Sequence, residues 1–587
     1  MQTRSDAIAA ALGVQPFDLL IENVRLVNVY TREVYPASIG IAGGFIAHVG
    51  PDTWDGVEPK QRLAGDGRFA VPGFIDTHVH IESSMMSPAG FAAAVLPRGT
   101  TTVVIDPHEI ANVVGLRGVK YMIDATRALP LRVFVQAPSC VPAVPGLETA
   151  GADFGPSEIA EMLSWPEVIG VAEVMDYLGV IHQGQRMSDI LAVALAHNTV
   201  ISGHCPGLRG DQLAAYMVGG PASDHEGKNV DELREKLRMG MTVEGRASTF
   251  SESMSTLAQL VREFEHVPPN LVMCTDDILP DDLLHRGHMD RVVRIAVDSG
   301  FHPVDAIRAA TLHGAQRHRL YDLGAIAPGK RADLVLTSSL EEFAADEVIV
   351  DGILVARQGQ MVMALPSQRF QLDAENTVRL PHPPTREDFG LRARPARSHE
   401  RVRVLTLVPA SRNALETVEL PVVNGLVDVT GAPGIVLLTI LERHGRGGQR
   451  ATALLQGLGL QRGAVASTVS HDSHNLTVVG RSVDDMVLAA QELAKCGGGV
   501  CCAESGRVVS LVPLPIGGLM SPLPLEDLAP QLEAFNNALR NLGINRSNPL
   551  AAIIGLALPV IPFYSMTDQG LVDVERQTVI SIWADEE

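Results

Sequence analysis

The chain has 587 residues, 46% of them hydrophobic and 20% charged, with a net charge of −21 at neutral pH. That length exceeds a single core and predicts about two to four units. The acidic balance argues against a nucleic-acid binder, which needs a cationic footprint, and 4% aromatic content leaves little for base stacking.

The N-terminus MQTRSDAIAAALGVQP carries no apolar signal core, and no run nears the roughly 18 apolar residues of a membrane span. A cytoplasmic protein is expected. Cys140, Cys205, Cys274, Cys496, Cys501 and Cys502 form no CxxC pair, so reduced, mostly buried thiols are expected.

Residues 1–70 read as short strands, FDLLIENVRLVNV, ASIGIAGGFIAHVG and QRLAGDGRFAVPG, with glycines at turn spacing. Residues 320–378 repeat that texture in LGAIAPGKRADLVLTSS and DEVIVDGILVARQGQMV. Two β segments flanking a long middle predict one small β-sandwich built from both, with another domain inserted between them.

The middle, residues 71–319, alternates. Apolar strands appear as GFIDTH, TTVVID, RVFVQA, IGVAEV, VISGH, GGPASDH, MTVEG and LVMCTD. Helical text such as SEIAEMLSW, MSDILAVALAHN and DELREKLRMG lies between and after them. Eight strands in this length predict a closed (β/α)8 barrel. An open doubly wound sheet is the alternative, because alternation alone does not establish closure. Residues 379–587 begin with a linker-like stretch, HPPTRE and LRARPARSHER. They continue as a separate α+β domain with strands VRVLTLVPA, GIVLLTILERHG, NLTVVG and VVSLVPLPIGG.

In such a barrel, functional side chains project from the C-terminal ends of the strands. Those ends hold His78 and His80, then Asp106-Pro107-His108-Glu109, Glu173, His204, Asp224-His225 and Asp276-Asp277. A lone histidine at a strand end is usually structural; this many imidazoles and carboxylates converging predict a metal site. His78, His80 and Asp276 can hold one divalent ion, His204 and His225 another, with Glu173 bridging them. Imidazole plus carboxylate suits zinc, iron or manganese alike. Two such ions share a hydroxide and make a strong nucleophile, and Asp276 is placed to take its proton. Strand alternation turns Asp277 away from the site. Glu109 is a candidate acid for contact with a heterocycle, or else a cap for the helix beginning at Ile110. The cluster Ser470-His471-Asp472-Ser473-His474-Asn475 stays open between a cover for the barrel mouth, an independent metal site and a structural polar loop.

PGFIDTHVHIESS resembles the first-strand signature of the amidohydrolase superfamily in the form found in the adenine deaminase family. DPHEIANV, AEVMD, GHCPGL, SDHE and CTDDILPDDLLHRGHMD resemble successive motifs of that family in order, as do SHDSHNLTVVG and PLPIGGLMS near the C-terminus. The resemblance implies hydrolysis of adenine to hypoxanthine and ammonia by a metal-bound hydroxide attacking C6. It implies two Mn2+ or Fe2+ ions (Zn2+ being a further option) on His78, His80, Glu173, His204, His225 and Asp276. Asp276, Glu173 and Glu109 are the catalytic candidates, and Asp106, His108 and Glu109 the substrate-binding ones. Adenine and water are the expected small-molecule partners, with a homo-oligomer and neither nucleic acid nor membrane. A cyclic amidase of the dihydroorotase or hydantoinase kind, and a metal-free scaffold, are the rivals. The first usually carries lysine where this chain has Glu173.

Overall fold

The computed structural model describes residues 4–51, 54, 56–366, 368–408, 413–560 and 563–586. The two flanking segments form one nine-stranded hydrogen-bonded sheet. They join where Phe69–Pro72 runs antiparallel to Leu334–Thr337, with Ala70 opposite Leu336. Leu19, Ile39, Leu334 and Ile349 share its apolar core, so both segments bury their hydrophobic faces together.

The middle supplies eight strands in the expected places: β1 (Phe74–Val79), β2 (Thr100–Ile105), β3 (Arg132–Ala137), β4 (Val168–Val174), β5 (Val200–Gly203), β6 (Ser223–Asp224), β7 (Thr242–Arg246) and β8 (Leu271–Cys274). β1 and β2 are buried throughout, as parallel strands covered by helices should be. The expectation of a closed ring needs correction. The ladder divides into a five-stranded sheet, β1 to β5, and a three-stranded sheet, β6 to β8.

Each seam has a physical cause. β6 is two residues long and follows Gly219-Gly220-Pro221, where proline offers no N–H to a neighbouring strand. Across that seam Ala222 N–H donates to the Ile201 carbonyl at 3.1 Å. Between β8 and β1 a single bridge links Asp276 with Val79, because the chain leaves extended geometry at Asp276, whose φ is 59°.

Helices stand between the strands, among them Gln185–Ala196 and Val230–Arg238. Asn229 caps the latter by accepting the Glu232 N–H at 2.9 Å. The helix expected to begin at Ile110 starts at His108 and runs to Val114, and a second, Leu116–Thr126, follows it after β2.

The C-terminal part is more β-rich than an even α+β mixture. Nine strands between His399 and Pro513 make one sheet, against which helices Val483–Cys496 and Leu525–Asn541 pack. Arg450–Gln456 (RATALLQ) is built largely of helix formers, yet pairs along its whole length with Ile435–Leu441. Tertiary pairing overrides local propensity there. Among the described residues no helix is long and apolar enough to cross a membrane, and all six cysteines are free thiols.

Candidate metal centre

Buried polar contacts aim the ligand-type side chains. The Asp76 carboxylate in β1 accepts the Thr275 N–H at 3.1 Å and the Thr275 hydroxyl at 2.5 Å. This draws the end of β8 onto β1, where Asp276 N–H donates to the His78 carbonyl at 2.9 Å. The Tyr216 hydroxyl ties β4 to β5, donating to the Val174 carbonyl at 2.7 Å and accepting the His204 N–H at 2.9 Å. Asp224 accepts the Cys205 N–H at 2.7 Å and the buried Lys236 ammonium at 2.9 Å, fixing the chain beside both His204 and His225.

Glu173 sits at the centre. Its Oε1 lies 3.6 Å from His78 Nε2 and 3.4 Å from His80 Nε2, and its Oε2 lies 2.6 Å from His204 Nδ1 and 3.4 Å from His225 Nε2. Each carboxylate oxygen thus faces one histidine pair. Asp276 Oδ1 stands 3.6 Å from His78 Nε2 and 3.3 Å from His80 Nε2. His80 Nδ1 is 2.9 Å from the Asp106 carbonyl, which places the proton of the neutral ring there and leaves Nε2 to the site. His78 Nε2 is buried without a hydrogen-bond partner. These atoms make two overlapping sets of close donors, His78–His80–Asp276 and His78–Glu173–His225, with His204, His225 and Glu226 a third.

The electrostatics follow from crowding. Burial pushes His78 down, but the Asp276 and Glu173 carboxylates outweigh it and lift the imidazole to about 10. Burial opposes the charge on Glu173, and the surrounding imidazoles, His204 foremost, hold it well below the usual carboxylate range. Asp276 is likewise held low against burial, first by Arg246 and then by His78 and His80. The pocket therefore concentrates anionic donors that attract positive charge.

A cavity of about 250 Å³ opens beside these groups, lined among others by His80, His108, Glu109, Glu173, Arg246 and Asp276. Asp472 and Leu558 line it from the C-terminal part.

Residues 69–355 match the amidohydrolase family, and residues 412–578 match the adenine deaminase C-terminal domain. The adenine deaminase of Moorella thermoacetica is 40% identical over 98% of this chain and 97% of its own length. That of Klebsiella pneumoniae is 41% identical over 99% and 96%, and adenine deaminase 2 of Rhizobium johnstonii 42% over 99% and 97%. The chain belongs to the adenine deaminase family. Among solved structures, a β-aspartyl dipeptidase of Fervidobacterium islandicum aligns over 61% of this chain and 100% of its own, with 15% identity and a TM-score of 0.44.

In this member of the adenine deaminase family, the remaining candidates fall into place around the cavity. Asp106 stands behind His108, its Oδ2 3.0 Å from His108 Nδ1. Glu109 is not the helix cap: the Ile110 N–H goes to Glu82 at 3.2 Å. Instead Glu109 is gripped by the C-terminal loop, with Oε1 2.6 Å from His471 Nδ1 and Oε2 bonded to His474 Nε2. Burial opposes its charge, and both imidazoles hold it well below the ordinary range. Burial also pushes His471 down, but the Glu109 and Asp277 carboxylates raise it to about 9. Glu109 thus faces both imidazoles as an ion-pair and hydrogen-bond partner.

Asp277 corrects the alternation argument. The left-handed turn at Asp276 interrupts the two-residue repeat, and both residues line the cavity. Asp277 accepts the Ser83 hydroxyl at 2.5 Å. Sequence reasoning also missed Arg246, whose Nη1 lies 2.5 Å from Asp276 Oδ2 and also bonds Glu226. Its signal was available: it is the last residue of β7, one position beyond the apolar stretch that marked the strand.

Proposed function

We propose that the protein hydrolyses adenine to hypoxanthine and ammonia with two divalent ions, Mn2+ or Fe2+, at the C-terminal ends of the eight parallel strands of its five- and three-stranded sheets. The observation that carries this is Glu173, each of whose oxygens faces a separate histidine pair, in a chain that aligns end to end with adenine deaminases. His78, His80 and Asp276 would hold one ion, His204 and His225 the other, and Glu173 would bridge them. The unpartnered Nε2 of buried His78 fits this, since a buried polar atom normally has a partner. Bound cations at such a site polarise water and stabilise developing negative charge at neutral pH.

The chain's own residues account for the proton movements. Water adds its oxygen to C6, N1 gains a proton, and the C6–N6 bond breaks to release ammonia. Asp276 receives the proton from the attacking water and passes it to the departing amine. Arg246 holds its other oxygen and keeps the carboxylate ionised, ready to accept. The water's other proton goes to N1 by way of Glu173, which as an ionised carboxylate accepts it first and then delivers it. Glu109 and His108 line the wall against which the base rests, and Asp106 steadies His108. Ala551, Gly555 and Leu558 add lining from the C-terminal part. A cavity this small, below the roughly 300–1,000 Å³ of drug-sized pockets, suits a bare base over a nucleoside. Glu173 in place of a lysine disfavours the cyclic amidase reading. Ammonia release from adenine and adenosine, and ring opening of hydantoin and dihydroorotate, each measured with Mn2+-loaded protein, test the proposal. Turnover of adenine alone is expected, and turnover of hydantoin or dihydroorotate but not adenine overturns it.

A further inference from the structure

The carboxylates lining the cavity are nearly all committed. Asp276 and Glu226 bind Arg246, Glu109 binds His471 and His474, Asp277 binds Ser83, and Glu173 faces four imidazoles. Asp472 differs. It is 3% exposed, it lines the cavity, and its Oδ2 has no hydrogen-bond partner. Its Oδ1 lies 3.8 Å from His108 Nε2 and 3.7 Å from His471 Nδ1, beyond hydrogen-bond reach. A buried carboxylate without a donor is costly, which makes it a receptor for a donor that arrives with the ligand.

Its position indicates which donor. The His108 ring separates Asp472 from Glu173, with Nδ1 3.7 Å from Glu173 Oε1 and Nε2 on the Asp472 side. Asp472 therefore stands one five-membered ring plus contacts of 3.7 and 3.8 Å from the carboxylate that marks the reacting end, a span for a base lying along His108. A purine held with C6 at Glu173 turns its five-membered ring toward Asp472. In a free base that ring carries an N–H; in a nucleoside the nitrogen is substituted.

We propose that Asp472, from the C-terminal loop, is the specificity-determining residue that accepts the imidazole-ring N–H of the free purine base. This rests on the deaminase reading and deepens it: the C-terminal part would select the substrate while the strand ends perform the chemistry.

The test is kcat/KM of Mn2+-loaded wild type, Asp472→Ala and Asp472→Asn on adenine and on 9-methyladenine, with metal content measured for each. Wild type should prefer adenine. Asp472→Ala should lose about 10–100-fold on adenine, the scale of a hydrogen bond to a charged group, mainly through KM. Its rate on 9-methyladenine should hold within about threefold, and metal content should not change. Asp472→Asn keeps a carbonyl acceptor and should fall between. A preference unchanged in Asp472→Ala overturns the assignment of Asp472 alone. Wild type that accepts both substrates equally overturns it without any variant. Wild type that releases no ammonia from adenine overturns the underlying reading instead.

Discussion

Two clusters in this molecule are built from the same residue types at similar distances, and they do different work. One is Glu173 with His78, His80, His204 and His225; the other is Glu109 with His471 and His474. Donor inventory alone would make both metal sites. The second nitrogen of His80 and that of His474 separate them. His80 gives Nδ1 to a backbone carbonyl, which frees Nε2 for a cation. His474 Nδ1 instead accepts the Ser470 N–H at 3.1 Å, so the proton of the neutral ring must sit on Nε2, pointing at Glu109. Burial drives His474 down to about 4, so that ring is neutral. A proton occupies the position a metal would need, and this cluster is a hydrogen-bonded clamp between the C-terminal loop and the helix after β2. Tautomer, set by the outer contact, distinguishes the two.

The comparison breaks most sharply at the two glutamates. Glu173→Gln removes negative charge from between two histidine pairs, and ammonia release should fall beyond about 10⁴-fold, the upper end of acid–base effects, with loss of metal by elemental analysis. Glu109→Gln should leave metal content intact. If Glu109→Gln sheds metal and Glu173→Gln does not, the assignment of the two clusters is reversed. Next comes Asp276→Asn, which keeps the shape but removes the base. A kcat lower by about 10²–10⁴-fold with metal partly retained is expected. Asp277→Asn leaves the Ser83 contact and should cost less than about tenfold. Equal losses in the two variants would show that they share the proton transfer.

The same contrast explains what the sequence made legible. The two-residue repeat put His78 and His80 on one side, and position at a strand end singled out Glu173, His204 and His225, so these candidates could be placed from local pattern. The rule failed where geometry is irregular: a left-handed residue at Asp276 put Asp277 on the cavity wall. It could not reach the Glu109–His474 contact, because no local periodicity encodes a pairing between the barrel and a loop in another part of the fold. Arg246 was hidden for a simpler reason, as a charged residue ending a strand looks like a solvated end. The barrel strands were readable as apolar runs, whereas RATALLQ became a strand only through its neighbours.

A milder effect is expected at the clamp itself. His474→Ala removes one of two contacts that aim Glu109, and such supporting contacts are worth about 10–100-fold. The loss should appear in kcat/KM for adenine at unchanged metal stoichiometry. His474→Gln, which retains an N–H donor, should recover part of it. Metal loss in His474→Ala would instead make the clamp a cation site.

The smallest effect concerns pH and follows from the proton on His471. Its folded-state value is about 9 against an ordinary 6.5, so the folded protein holds that proton after the unfolded chain has released it. The contribution to stability is complete below about pH 6.5 and declines as pH rises, at no more than about 1.4 kcal/mol per unit. It is gone above about 9, where the folded-state imidazole loses its charge. Other groups titrate over the same range, so the measurement is a difference. Urea unfolding of wild type and His471→Gln, both Mn2+-loaded, should give a gap that narrows steadily from pH 6.5 to 9. The metal-facing imidazoles are common to both proteins and cancel. A gap that stays constant would mean that the folded protein holds no extra proton because of His471, overturning the charged assignment.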